Sequence, residues 1–278
     1  MISVFFQYDF LTYSLYTGLM IGFIAPLIGV FLVVRRLALI SDALSHITLS
    51  GIAFSLLLGR HFPTFASLNP LYMGMAFSVS GAILMERLRN VYRYYQELVI
   101  PIILSSGIGI GVVFISLANG FNNDLFTYLF GSVVAIRKTD LQLIFAITVI
   151  VIILFILFYK ELFYLSFDEE QAVVSGIPKK ALHFFFIVIV ALVISSSMRI
   201  VGILLVSSLM TLPVAAAMRW ARGFKQMFIY AILFGEVSVL IGLFTSFHFD
   251  LAPGGVIVMI NVCILLLSIL LTKKRNVS

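Results

Sequence analysis

The chain alternates long apolar runs with short polar turns, and the runs match the thickness of a bilayer. Residues 10–34, 42–59, 68–85, 97–118, 141–159, 181–197, 201–220, 227–247 and 253–271 are almost continuously apolar. Each holds about 17–25 residues, the length an α-helix needs to cross a hydrocarbon core about 30 Å thick. The run at 125–136 is too short to cross and predicts a re-entrant or interfacial helix; only if it crossed would the count rise to ten. The pattern therefore predicts an all-α, polytopic membrane protein of about 8–9 transmembrane helices, nine if every long run spans.

Composition narrows the picture further. With 62% hydrophobic and 11% charged residues and a mean hydropathy of +1.16, the chain is far from a soluble domain, in which about 25% of residues are charged. Nearly all its length is used in spans, so a single transmembrane domain over residues 1–278 is expected, with no room for a soluble catalytic unit. No G-x-x-x-x-G-K-[ST] phosphate loop occurs, so any ATP hydrolysis must come from another chain. The N-terminus carries neither a basic leader region nor a small-residue cleavage site, and no removable signal peptide is predicted. Cys263 stands alone within an apolar run, which excludes an intramolecular disulfide and reads as a buried, inert thiol.

The net charge of +6 belongs to topology, and nucleic acid is not an expected partner. Arg35-Arg36, the Arg87, Arg89 and Arg93 cluster, Arg219, Arg222 and Lys225, and Lys273-Lys274-Arg275 all fall at ends of runs. By the positive-inside rule these ends are cytoplasmic, the N-terminus is outside and the C-terminus inside, with Arg137-Lys138 a tolerated outside exception. The outward connections then include His61-Phe62-Pro63-Thr64 and the turn at 119–124.

The longest polar interval, about 160–180, has a short-helix signature on the cytoplasmic side. Ser166 with Glu169 three residues later forms a capping-box pattern, Gly176 sits at a C-cap position and Pro178 blocks continuation. Gly18 and Gly22, and Gly107 with Gly111, have the G-x-x-x-G spacing of close helix packing; Gly109 lies between the latter pair.

Against this apolar background, Asp42 and His46 stand out. Four residues apart at the start of a span, they share one helix face about one turn apart, where a carboxylate and an imidazole can hold the same cation. An ionisable residue in a span costs about 2.5–3.5 kcal/mol on insertion scales and is read by default as functional. Oxygen plus nitrogen ligands suit zinc, manganese or ferrous iron, and the lack of thiolate ligands suits an ion that must leave. Glu236, deep in the eighth span, is a second candidate for the ion path. His183 reads as interfacial, and His61, His248 and Asp250 fall in outward turns where they could receive an ion.

Three segments carry a resemblance to a known family: Arg35-Arg36-Leu37-Ala38-Leu39-Ile40-Ser41-Asp42-Ala43-Leu44-Ser45-His46, the stretch from Val201-Gly202-Ile203-Leu204-Leu205-Val206 to Pro213-Val214-Ala215-Ala216-Ala217, and Asp250-Leu251-Ala252-Pro253-Gly254-Gly255. In this order they resemble the permease subunits of bacterial ATP-binding-cassette importers for zinc, manganese and iron. Ser41 stands where that family commonly has glycine, and Ser50 where it commonly has proline.

The resemblance implies a fold similar to a shortened cobalamin-importer permease. It implies a homodimer with the ion path near its axis, two copies of a cytoplasmic ATPase beneath it and an extracytoplasmic metal-binding lipoprotein or periplasmic protein above. No permanently bound cofactor is expected; the metal ion is the cargo. Asp42 and His46 match the family's metal-pathway pair. The segment 167–175 matches its coupling helix, with Asp168, Glu169, Ala172 and Gly176 as candidate coupling residues. The rival from a different class is a proton- or sodium-driven secondary transporter using Asp42, His46 and Glu236. A membrane metallohydrolase would need a set such as H-E-x-x-H, whereas the histidines are dispersed at 46, 61, 183 and 248.

Overall fold

The computed structural model describes residues 8–62, 67–118 and 123–275. Pro63 and Thr64 of one outward connection, and 119–122 of the other, lie outside the described residues. The apolar runs form α1 (Asp9–Val34), α2 (Leu39–His61), α3 (Pro70–Val91) and α4 (Val99–Leu117), then a short α5 (Asn123–Phe130). Next come α6 (Lys138–Phe167), α7 (Glu169–Val174), α8 (Lys179–Val201), α9 (Ile203–Trp220), α10 (Phe224–Phe249) and α11 (Pro253–Arg275). Among the described residues there is no strand.

Seven of these helices are long and apolar enough to cross a membrane on length and composition. Two more complete the alternation. α3 carries Glu86, Arg87 and Arg89 near its end, and α9 starts one residue after α8. The eight residues of α5 span only about 12 Å at 1.5 Å per residue, too little to cross. α5 stays at the end where Asn69, Arg137 and Arg199 meet it around one cavity, as the short apolar run predicts.

The central helices are α1, α2 and α8, each buried over 72% of its apolar stretch, whereas α6 and α11 are buried over only 22%. In water such outward apolar faces would be untenable; in lipid they need no cover. Cys263 belongs to this outward surface, on α11, and is exposed; the expectation of a buried thiol fails because α11 lies at the periphery of the bundle. At the core, Phe31 of α1 is 1% exposed and sits among the rings of Phe155, Phe186, Phe224 and Phe228, with centroids 5.4–6.1 Å away. Offset and edge contacts of this kind add about 0.5–1.5 kcal/mol per pair beyond burial.

Small residues allow the closest approaches. Gly18 and Gly22 face Val239, Leu243 and Glu236 of α10, while Gly107 and Gly111 of α4 face Ile47 and Ser50 of α2; Gly109 looks into open space. The G-x-x-x-G spacings are thus helix contacts. Ser50 adds a polar tie, its hydroxyl donating to the Gly107 carbonyl at 2.6 Å. Both departures from the family pattern, Ser41 and Ser50, lie within the unbroken α2.

The boundary between α8 and α9 depends on Gly202, whose φ of +84° is open to glycine and strained for other residues. Its neighbour in space is Gly131, φ +81°, and a Cβ on Gly202 would lie 2.6 Å from the Phe130 carbonyl carbon and 2.7 Å from the Gly131 nitrogen. Gly254 of α11 abuts the Val201 carbonyl, so two of the segments that carry the family resemblance meet at this break. Asp250, in the left-handed region at φ +52°, ends α10 just before it.

Two expectations follow from this architecture. Gly202→Ala forces an alanine to φ +84°, ψ +151°, a region essentially open to glycine alone and costing about 1–3 kcal/mol, and adds a backbone clash, whereas Gly176 shares the φ of +84° but has open space around it. Thermal melts in detergent should therefore show a small loss for Gly176→Ala and a much larger one, or no monodisperse protein, for Gly202→Ala; equal shifts would refute the packing argument. Topology is tested by cysteine labelling at Lys138 and Gln171, both exposed, in a Cys263→Ser background. An impermeant reagent on intact spheroplasts should modify position 138 alone, and outside labelling of 171 would invert the orientation.

Candidate functional site

The first turn of α2 begins right after the reversal that ends α1. Arg36 adopts φ +57°, and the amides of Arg35, Arg36 and Leu37 return to the carbonyls of Phe31, Val33 and Leu32 at 3.0, 3.0 and 2.7 Å. Asp42 lies in the first turn of α2, where the exposed amides of the helix start favour a carboxylate. His46 follows one turn later, close enough for the Asp42 charge to act on its ring. Around them Ile40, Ser41, Ala43, Leu44, Ser45 and Ile47 are buried, while Leu39 is exposed and Asp42, His46 and Leu49 are half-buried. The pair therefore occupies one stripe of α2 that the rest of this chain leaves open. Among the described residues neither side chain is committed to an ion pair or hydrogen bond, and no three His, Cys, Asp or Glu converge.

Glu236 is not part of that stripe. It sits on α10 against Gly22 of α1, its Oε2 buried and without a hydrogen-bond partner. α10 packs on α1, α9 and α11, not on α2 to any substantial extent. Pro26 deprives the Gly22 carbonyl of its helical donor, and Gly235 closes on that same point of α1. His61 ends α2, while His248 and Asp250 end α10; all three are exposed, and the weak contact between these helices leaves them ungrouped.

α7 differs from its sequence pattern in a defined way. Ser166 belongs to α6 and its hydroxyl bonds back to the Leu162 carbonyl at 2.6 Å; the N-cap is Asp168, whose Oδ1 accepts the Gln171 amide at 2.9 Å. Long apolar α6 simply continues through Ser166, so the capping box expected at Ser166 and Glu169 does not form. Gly176 closes the helix as expected, its amide donating to the Val173 carbonyl at 3.0 Å. Ala172 points inward, fully buried against Leu165 and Leu182, while Val173 and Val174 are exposed.

One feature escaped sequence reasoning. His183, in the first turns of α8, is 7% exposed: Arg35 Nη2 lies 3.1 Å from its Nδ1 and Arg89 contacts its Nε2. Glu86 is 3.8 Å from the same ring. Glu169 of α7 reaches Lys179 at 3.0 Å and Arg35 at 3.8 Å. Arg35, one of the basic residues that mark a cytoplasmic end in the sequence, has a side chain only 6% exposed. Burial pulls its guanidinium below the ordinary arginine value, and the Glu169 carboxylate opposes this.

At the other end, buried Asp140 accepts from Asn69 at 3.0 Å, Arg199 at 2.5 Å and the Arg137 amide at 2.9 Å, joining the starts of α3 and α6 to the end of α8. A cavity of about 720 Å³ opens beside it, lined by Leu56, Tyr72, Tyr128 and Arg137 among others.

Comparison with known proteins converges on one group. The chain is 34% identical over 271 residues to the manganese transport system membrane protein MntC of Listeria monocytogenes, covering 97% of this chain and 93% of that one. It is 32% identical over 263 residues to the high-affinity zinc uptake system membrane protein ZnuB of Haemophilus influenzae, covering 95% and 98%. Among solved structures, PsaBC from Streptococcus pneumoniae in complex with Fab superposes with a TM-score of 0.82 at 29% identity, over 96% of this chain and 95% of that one. The sequence profile of the ABC 3 transport family matches residues 7–272, and with the helical architecture and the Asp42–His46 stripe in place, this chain belongs to that family.

Proposed function

We propose that this protein is the membrane permease of an ABC importer for a divalent transition-metal ion, a multi-pass protein of the bacterial membrane that carries ions and performs no hydrolysis itself. Membership of the ABC 3 transport family over nearly the whole chain, together with relatives named for manganese and zinc transport, supports this reading. Manganese and zinc are the expected cargo, with ferrous iron a further ion these ligand types accept.

In this reading residues 1–278 form one transmembrane permease domain, and Asp42 with His46 line the ion path. The observation that carries the assignment is their stripe: an acid and an imidazole one turn apart, uncommitted to other groups, on a helix face this chain leaves open. One chain offers two ligands there; two copies meeting along α2 would offer four, the number a tetrahedral ion takes. We therefore assign a homodimer about that face, two cytoplasmic ATPase subunits at the basic end and an extracytoplasmic metal-binding protein at the other. Glu236 is separate from the pair, and a role in the path would place it on another stretch of it.

α7 is the proposed coupling helix. Asp168 and Gly176 close its two ends, Ala172 seats it on α6 and α8, and Val173 and Val174 are left to meet the ATPase. Apolar side chains on an isolated polar-end helix are the kind of anchor that fills a partner's pocket.

Two measurements test these roles. In vesicles containing the assembled importer, Asp42→Ala and His46→Ala should each lower ATP-driven uptake of radioactive manganese or zinc by about a hundredfold, the loss expected from roughly 3 kcal/mol of ion binding. Insertion should be unchanged; normal uptake by the double variant refutes the assignment. Uptake driven by a proton or sodium gradient, with no ATPase present, would instead establish a secondary transporter. Val174→Asp should weaken co-purification of the ATPase by about tenfold or more, as loss of an apolar anchor does, and leave the melting temperature of the free permease unmoved. Full ATPase association would place docking elsewhere.

A further inference from the structure

The cluster around His183 contains a contact that chemistry does not let it satisfy. Arg35 and Arg89 approach opposite nitrogens of the ring, yet a guanidinium has only donors. A neutral imidazole offers one acceptor and an imidazolium none, so His183 can serve one arginine at a time. Arg35 has the weaker hold. Its Nη1 is buried without a partner, and its approach to Glu169, at 3.8 Å, is looser than a hydrogen bond. The same guanidinium has a second arrangement within reach: closing on Glu169 with paired hydrogen bonds while His183 remains with Arg89.

The two arrangements connect different parts of the protein. Glu169 is the first residue of α7, and Lys179, its other partner, opens α8. Arg35 is the last residue before the reversal into α2, where three short backbone bonds hold the turn to α1. Asp42 is in the next helical turn. A shift of α7 that draws Glu169 toward or away from Arg35 therefore acts on the start of the helix that carries Asp42 and His46. Such a junction between two discrete pairings is a two-state element, as transmission between distant sites requires.

We propose that Arg35 is the positioning residue that passes movement of α7 to the ion-binding stripe of α2, by exchanging its guanidinium between His183 and Glu169. This rests on the permease reading and on α7 as the coupling helix. It assigns Arg35 a role in coupling ATP hydrolysis to ion movement, distinct from contact with either the ion or the ATPase.

The test compares Arg35→Gln, Glu169→Gln, their double variant and Arg35→Lys in vesicles of the assembled importer, measuring ions imported per ATP hydrolysed. Both glutamine variants should import about tenfold fewer ions per ATP hydrolysed, equivalent to about 1.4 kcal/mol of coupling, and Arg35→Gln, which lies outside α7, should also retain the ATPase and hydrolyse ATP at the parental rate. The double variant should be no worse than the worse single, because both act on one contact. Arg35→Lys, which keeps the charge, should recover part of the loss. Parental ions per ATP in Arg35→Gln, or a double variant whose loss is the product of the two, would overturn the proposal.

If Arg35→Gln fails to fold, Glu169→Gln still decides, since that side chain is 46% exposed and carries little of the packing; parental coupling in it overturns the exchange. Melting of the purified permease gives a separate reading: the shifts of the two single variants should be non-additive, and additive shifts reject the contact. A parental importer without ATP-driven uptake would defeat the permease reading while leaving the melting test of Arg35 and Glu169 standing.

Discussion

Hydrocarbon offers a backbone nothing to hydrogen-bond, and that deprivation governs this protein from helix length to site geometry. Every N–H and C=O must be satisfied inside its own segment, so each long apolar run becomes a helix and the chain changes direction only near the two membrane faces. The exceptions confirm the rule by how they are built. At Gly202 the helix stops for one residue, and the carbonyls freed there are covered by the packed backbone of α5 and α11. At Pro26 a lost helical bond coincides with the close approach of α10.

The same deprivation sorts the charges. Long-range ion clusters occupy the two ends of the bundle, Asp140 with Arg199 at one and the His183 cluster at the other. They differ in how the central group is held. Asp140 accepts from three donors and ties three helices together, the condition under which a buried carboxylate adds rigidity. The His183 cluster has surplus donors, an unpartnered Arg35 Nη1 and an unpartnered Glu86 Oε2. The Asp140 carboxylate is held from three sides, although Arg199 Nε beside it is buried without a partner, whereas the His183 ring faces more donors than it can accept. The Asp140 cluster lies beside the large cavity, and the His183 cluster lies beside α7.

Between these ends Asp42, His46 and Glu236 are polar, half-buried and without hydrogen-bond partners, and of the three Asp42 and His46 share one helix face one turn apart. A site meant to hold an ion permanently would be enclosed by a full ligand set with supporting hydrogen bonds. Two ligands on an open helix face instead suit an ion that is received and released. In the proposed homodimer a second copy of the chain would supply further ligands and cover the open stripe of α2.

The sequence by itself determined whatever depends on neighbours along the chain. Span length, the failure of 125–136 to cross, the stop at Gly176 and the shared face of Asp42 and His46 all follow from local periodicity and from residue types within a few turns. Only the tertiary structure decided which distant groups meet. Arg35 and His183 are 148 positions apart, and no spacing rule links them, so the sequence presents a basic end and a histidine without joining the two. Ala172 turned inward because α7 is too short to be stable without a buried contact, and the N-cap moved to Asp168 because apolar α6 ran on through Ser166. Glu236 stands apart from Asp42 for the same reason: depth along a helix is written in the sequence, whereas which helices lie side by side depends on close packing among glycines and rings from the whole chain.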